Sequence, residues 1–264
     1  MSIDPDMGAH YALGLEQARL TDRLEYVRTR ELLARFLPPP PADVVDIGGG
    51  AGVYALALAR EGYTVRLLDP MELHVAQARA AGLHATLGDA RTLPFPDESA
   101  DAALLLGPLY HLQERADRVR ALREAYRVLR PGGVVAAAVI SRFASLLDGL
   151  GRGRLLDPAF EPILERDLDD GRHQNPEPVN RPEWFTTAYF HHPDEPAREL
   201  EDAGFEAATV LAIEGPASFR DELEDWLKDP ERRELLLRTI RRVEAEPTLL
   251  GASSHLLATG SRPR

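Results

Sequence analysis

From within the strand-like run VVDI onward, the chain places Asp46, Gly48, Gly50 and Gly52 at every second position, with Gly49 among them. Glycine lacks a Cβ and reaches backbone angles closed to other residues. A turn this rich in it lets a ligand lie against the main chain. A tight turn alone would need only one or two glycines. The dinucleotide pattern G-x-G-x-x-G fits Gly48 and Gly50, but its third glycine position holds Val53. Further chemistry-bearing residues follow downstream. Asp69 in LLDP, beside Pro70, offers two acceptor oxygens suited to a pair of hydroxyls. Asp89 and Ala90 sit in LGDARTLPF. His111, next to Tyr110 in LLLGPLYHL, is the leading general-base candidate because imidazole titrates near neutral pH. His173 in GRHQN is a second candidate. Trp184, Phe185, Tyr189 and His191 are candidate walls of a small-ligand pocket. His191 and His192 are neighbours whose side chains point to opposite faces of an extended segment. No carboxylate spacing accompanies them, so no metal site is expected.

These residues need elements to hold them. VVDI reads as a buried strand, and 53–60 as a helix closed by Gly62. YTVRLLD is a second strand and MELHVAQARAAG a second helix. HATLGD and ADAALLLG are the third and fourth strands. A helical stripe of Val119, Leu122, Tyr126 and Leu129 stops at RPGG, and VVAAAVIS follows as the fifth strand. Strands alternating with helices predict a parallel sheet covered on both faces. Helix 194–203, strand 206–213, helical stretches 218–228 and 231–245, and the strand SHLLATGS complete seven strands. The fold expected is α/β, Rossmann-like and doubly wound, with a seven-stranded, mostly parallel sheet. Ahead of it, 11–37 reads as one or two amphipathic helices ended by the prolines Pro38 to Pro41. This divides an N-terminal helical arm, 1–41, from a core, 42–264. The core carries a loop-rich insertion after strand five, 142–190, expected to form the substrate pocket.

The bulk composition narrows the function. The 264-residue chain carries 43 acidic and 31 basic residues, a net charge of −12. Nucleic-acid affinity rests on Lys and Arg neutralising phosphates, so such a surface disfavours a nucleic-acid partner. The absence of cysteine excludes disulfides, thiolate metal sites, a Cys nucleophile and cysteine-held clusters. MSIDPDMGAHYALGL has acidic residues and no basic stretch before an apolar run, unlike a secretion signal. The longest apolar run, 134–140, is too short for a membrane span. A cytoplasmic protein without membrane or nucleic-acid partners is expected, with monomer and homodimer both open.

Asp46-x-Gly48-x-Gly50-x-Gly52, the acidic end of strand two, LGDARTLPFPDESAD and EAYRVLRPGGVV come in an order and spacing that resembles the class I S-adenosylmethionine-dependent methyltransferases over about residues 42–141. The likeness is to the UbiE-like, type 11 branch, in an actinobacterial form. The resemblance implies that Gly48, Gly49, Gly50 and Gly52 take the methionine part of S-adenosyl-L-methionine while Asp46 orients the loop. It implies that Asp69 binds both ribose hydroxyls, with Pro70 alongside. Asp89 would meet the adenine amino group and Ala90 would offer its backbone. Leu106 and Gly107 would contact the methionine part, placing Tyr110 and His111 near the transferred methyl. In small-molecule members the N-terminal arm commonly closes over the cofactor, which brings in Tyr11, Tyr26 and Arg28, an Arg pairing with the cofactor carboxylate. The implied function is methyl transfer to a small-molecule acceptor, at O or N rather than C, for instance in secondary metabolism. Two alternatives stand beside it. One is a protein that binds S-adenosylmethionine or S-adenosylhomocysteine without transfer, and the other, more distant, is an NAD-dependent oxidoreductase.

Overall fold

The computed structural model describes residues 5–12, 23–177, 180–219 and 223–264. Its centre is β1 (Asp43–Ile47), a run with apolar side chains on both faces, hydrogen-bonded in parallel to β2 (Thr64–Asp69) and β4 (Ala100–Leu105). β3 (His84–Leu87) continues the sheet beyond β2, and β5 (Leu129–Ile140) beyond β4. β9 (His255–Ser261) runs antiparallel against β5, and β8 (Glu206–Ala212) antiparallel against β9. The sheet order is β3-β2-β1-β4-β5-β9-β8, seven strands and mostly parallel as the alternation predicted. Alanine dominates the middle of β4 and β5 (Ala102, Ala103, Ala136, Ala137, Ala138), so the covering helices approach closely on both faces.

One face buries α6 (Arg115–Val128) through Val119, Leu122, Ala125 and Val128, together with α9 (Glu195–Ala203) through Leu200 and Ala203. The other face takes α3 (Val53–Arg60), α4 (Glu72–Ala80) and α2 (Leu24–Phe36). α2 is pinned by Leu32 and Leu33 in the core and by the buried Arg28. The short helix α1 (Pro5–Ala12) ends beside α5 (Pro108–His111), and Thr187 donates to Asp6 at 3.4 Å. Within 11–37, expected as one or two helices, Leu24–Phe36 is helical and α1 reaches in as far as Ala12. Residues 13–22 of that stretch lie outside the described residues.

Two expectations are corrected. β5 begins at Leu129, so RPGG is strand rather than a stop. Leu129 pairs with Ala100, and the irregularity is absorbed by Gly132 at φ +83° and by Gly133, where a Cβ would come within 2.9 Å of the Arg130 carbonyl. The insertion is more regular than loop-rich. It holds α7 (Ala144–Gly151), α8 (Glu161–Asp170) and a two-stranded ribbon, β6 (Arg172–His173) with β7 (Ala188–Tyr189). Beyond β8 come α10 (Leu223–Lys228) and α11 (Pro230–Arg241). Among the described residues, no helix is long and apolar enough to cross a membrane.

Candidate active site

The carboxyl ends of β1, β2 and β4 meet above the glycine turn. Gly48, Gly50 and Gly52 have φ of +69°, +57° and +89°, a region that strains residues with a Cβ. Three of the glycines are also required by packing. A Cβ on Gly48 would lie 2.9 Å from Pro108 Cδ and one on Gly49 2.5 Å from Asp46 Oδ2, while one on Gly52 would strike Leu83. Gly50 differs: nothing stands within 4 Å of where its Cβ would be. The opening over the turn lies at Gly50.

Asp69 closes the turn from β2. Its Oδ2 accepts the Gly50 N–H at 2.9 Å, and its Oδ1 accepts the Met71 N–H at 2.9 Å and lies 3.1 Å from His74 Nδ1. Each carboxylate oxygen has two lone pairs, so acceptor capacity remains on Oδ2. Asp46 is buried behind the turn, and neither of its carboxylate oxygens has a hydrogen-bond partner among the described residues. Burial, reinforced by the charge of Asp69, pushes its carboxyl up to about 7. Between its ordinary 3.8 and about 7, the folded protein holds a proton that the unfolded chain has released. This group therefore removes stability as pH rises through that window. Asp46→Asn is expected to raise the melting temperature of the ligand-free protein at pH 8, the gain fading as pH falls toward 4. A gain that stays flat across thermal melts at these pH values would contradict the assignment.

Asp89 is held by Arg91 on both oxygens, at 3.0 Å (Nε to Oδ1) and 2.7 Å (NH2 to Oδ2), and Arg91 also reaches Asp117 at 2.8 Å. The hydrogen bonds from Arg91 keep the Asp89 carboxyl below its ordinary value. Ala90 is buried beside it. Leu106 and Gly107 form the bend after β4, and the Tyr110 hydroxyl stands 3.4 Å from where a Gly107 Cβ would be.

Beyond that bend is an aromatic enclosure. Tyr11 Oη and His111 Nε2 are 2.7 Å apart. The His111 ring lies 4.7 Å from Tyr110 and 5.9 Å from Phe185, and Phe185 is 5.4 Å from His10. Tyr11 also faces His74, ring to ring at 5.4 Å. Residues from α1, α5, α4 and the insertion therefore converge beside the glycine turn. The Tyr26 ring lies 5.3 Å from that of Tyr54, the second residue of α3, tilted by 37°.

Five other expected site residues are committed elsewhere. Arg28 donates to Ile213 O at 3.1 Å, Glu31 at 2.6 Å and Glu244 at 2.5 Å; fully buried, it anchors α2 and cannot meet a cofactor carboxylate. His173 uses both ring nitrogens, on Asp167 and the Trp184 carbonyl at 2.8 Å each, and stacks on Phe190 at 4.4 Å. It braces the insertion and has no nitrogen left for proton transfer. Trp184 packs on Phe160 and Ile163 in a small core inside the insertion, under the Arg181 guanidinium. Tyr189 and His191 face the sheet: the Arg118 guanidinium lies 3.8 Å from the Tyr189 ring centroid, the Tyr189 hydroxyl donates to Glu195 at 2.8 Å, and His191 Nε2 is 3.4 Å from Glu199. Burial holds the His191 imidazole below its ordinary value. His10, His74 and Tyr54 belong to the enclosure without having been anticipated. The one available cue, for His74 and Tyr54 alone, was their place in the first turn of helices that flank the loop.

Strand order, glycine turn and acidic strand end together agree with what the resemblance to the class I S-adenosylmethionine-dependent methyltransferases implies. Residues 45–137 match the family described as Methyltransferase domain, which bears out the resemblance. An uncharacterized methyltransferase of Mycobacterium tuberculosis is 34% identical over 163 residues, 61% of this chain and 60% of that protein. The chain thus spans less than two thirds of the length of that curated relative. The 2-methyl-6-phytyl-1,4-hydroquinone methyltransferase 1 of Oryza sativa subsp. japonica is 38% identical over 97 residues, 34% of this chain and 28% of that one. Among solved structures, a SAM-dependent methyltransferase of Thermotoga maritima, described as a possible histamine N-methyltransferase, superimposes with a TM-score of 0.61. It covers 97% of this chain and 98% of its own at 22% identity, which speaks to the fold alone.

Proposed function

We propose that this protein transfers a methyl group from S-adenosylmethionine to a small-molecule acceptor, at oxygen or nitrogen. The observation that carries this reading is the convergence of Tyr11, Tyr110, His111 and Phe185 beside the one glycine, Gly50, that leaves open space over the turn. The residues fit the cofactor: Gly50 leaves room against the backbone, Asp69 keeps acceptor capacity for a ribose hydroxyl, and Asp46 lies buried behind the loop with no hydrogen-bond partner among the described residues. When bound, S-adenosylmethionine supplies an activated methyl on a sulfonium.

What remains for the protein is positioning and proton handling. In-line displacement builds no new charge at carbon, so holding acceptor and methyl in line accounts for much of the rate. His111, hydrogen-bonded to Tyr11, stands where it takes the proton of a hydroxyl or amine acceptor. Tyr11 of α1 and Phe185 of the insertion pack against it. The net charge of −12 supports a small molecule over a nucleic acid as acceptor.

His111→Asn is expected to lower turnover by roughly 100-fold, within the usual range for a general base, while S-adenosylhomocysteine binds as before. The reading itself is tested by incubating the protein with S-adenosylmethionine and fractionated small-molecule extract and following acceptor masses. Gain of one methylene in a single compound, absent with Asp69→Ala, is the expected result. Tight cofactor binding with no methylated product in any fraction would favour a binding protein without transfer.

A further inference from the structure

Phe185 holds a backbone conformation that belongs to glycine. Its φ and ψ are +68° and −158°, a region essentially closed to residues with a Cβ. Strain of this kind persists only where the surroundings enforce it, and here they act on the carbonyls on either side of the residue. Trp184 O accepts from His173 Nε2 at 2.8 Å, and Phe185 O accepts from Asn175 Nδ2 at 2.8 Å. Asn175 also donates to Arg181 O at 2.8 Å, and its Oδ1 accepts the Glu177 N–H at 2.9 Å. His173 Nδ1 is bonded in turn to Asp167 of α8, which also accepts the hydroxyl of Ser145 on α7. His173, Asn175 and Asp167 are all buried.

What the clamp achieves is direction. Trp184 is fixed on Phe160 and Ile163 in the insertion's own core, while the next side chain turns the other way. The Phe185 ring comes to 5.9 Å from His111, 6.0 Å from Tyr110 and 5.4 Å from His10, and it stays only partly buried. It also touches the apolar cluster of Ile140, Ala188 and Phe190, but filling that cluster demands no strain: Ala188 and Phe190 sit in it without a positive φ. Among the rings beside His111, those of Tyr11, Tyr110 and His10 carry polar atoms and that of Phe185 carries none. The rings meet at steep angles, 78° between His10 and Phe185 and 64° between Tyr110 and Phe185. Walls of this kind suit another flat ring, whose electropositive edge meets an electronegative face.

We propose that Phe185 selects a flat aromatic acceptor for methylation, and that His173 and Asn175 are positioning residues that aim its ring through the Trp184 and Phe185 carbonyls. The proposal rests on the methyl-transfer reading. A puckered acceptor of the same size offers no π face and gains only apolar contact. His111 keeps its place at the acceptor's proton, and Phe185 decides which ring is held there.

Phenol and cyclohexanol, alike in size, each with one hydroxyl and both uncharged at neutral pH, are titrated by ligand-observed NMR into protein saturated with S-adenosylhomocysteine. Phenol is expected to bind about tenfold more tightly, and Phe185→Leu, which keeps an apolar side chain, should erase that preference. Asn175→Asp keeps the acceptor for the Glu177 N–H and loses both donated bonds. It should lower the preference for phenol with S-adenosylhomocysteine affinity unchanged. Added to Phe185→Gly it should alter neither probe's affinity, because no ring remains to be aimed. Phe185→Gly should also melt above Phe185→Ala, the reverse of the order at an unstrained position. Equal or absent binding of the two probes overturns the proposal, as does a preference that survives Phe185→Leu. So does a loss from Asn175→Asp that is the same with and without the Phe185 ring, the mark of a merely structural role, or an alanine variant that melts above the glycine one. Failure of the wild-type protein to bind S-adenosylhomocysteine would instead defeat the methyl-transfer reading, and this proposal with it.

Discussion

Asp69→Ala is expected to weaken S-adenosylhomocysteine binding by roughly 10- to 100-fold, because the charge-assisted hydrogen bond that Asp69 Oδ2 can still accept from a ribose hydroxyl is worth roughly 1.5–3 kcal/mol. The loss has a second source. Asp69 also holds the Gly50 and Met71 N–H groups at 2.9 Å each, so its removal loosens the turn against which the ligand lies. Asp69→Asn separates the two effects. It keeps the shape, but its amide nitrogen must face one of these N–H donors or His74, and a loss of roughly tenfold is expected, the worth of one such bond. Calorimetry gives the affinities and far-ultraviolet circular dichroism checks the fold. An unchanged affinity in Asp69→Ala would move the ribose contact to another residue.

The largest expected effect on stability falls at Arg118. Only 2% exposed, it donates to Glu199 at 2.9 Å and to the carbonyls of Leu112 and Gln113, also at 2.9 Å each. Burial acts to raise the Glu199 carboxyl, but His191 and Arg118 outweigh it and keep the group ionised. Arg118→Leu would leave that charge buried without its main partner, which costs about 3–5 kcal/mol. For a chain of this size the melting temperature should fall by roughly 10 °C. Because Leu112 and Gln113 directly follow His111, the same variant should blunt catalysis before it unfolds. Arg118→Leu with Glu199→Leu is expected to recover most of the stability, since no unpaired charge remains. A single variant as stable as the wild type would show that the network contributes nothing.

What could be read from the sequence was what is local. A strand end, a glycine turn and a helix start are contiguous, so Asp46 to Gly52 and the helix Val53–Arg60 with its Gly62 cap follow from a few adjacent residues. The acidic ends of β2 and β3 were legible because parallel strands bring them to the same edge. Arg28 was not, since its partners Ile213 and Glu244 are fixed only when α2 docks on distant segments. Tyr189 and His191 likewise take their places from Arg118 and Glu199 on other helices. Trp184 and Phe185 are neighbours that point apart, one into the insertion's own core and one toward His111; composition cannot make that distinction. The helices of the insertion were hidden by glycines at their ends, such as Gly151, Gly153 and Gly171, and by Gly149 within the helix Ala144–Gly151.

The most direct measurement is calorimetric titration of the purified protein with S-adenosylmethionine, S-adenosylhomocysteine and NAD. Micromolar binding of the first two, with NAD silent and Asp69→Ala abolishing the signal, is the result expected if the turn from Gly48 to Gly52 holds the adenosyl cofactor. Binding of NAD, or no binding of either adenosyl compound, would contradict it.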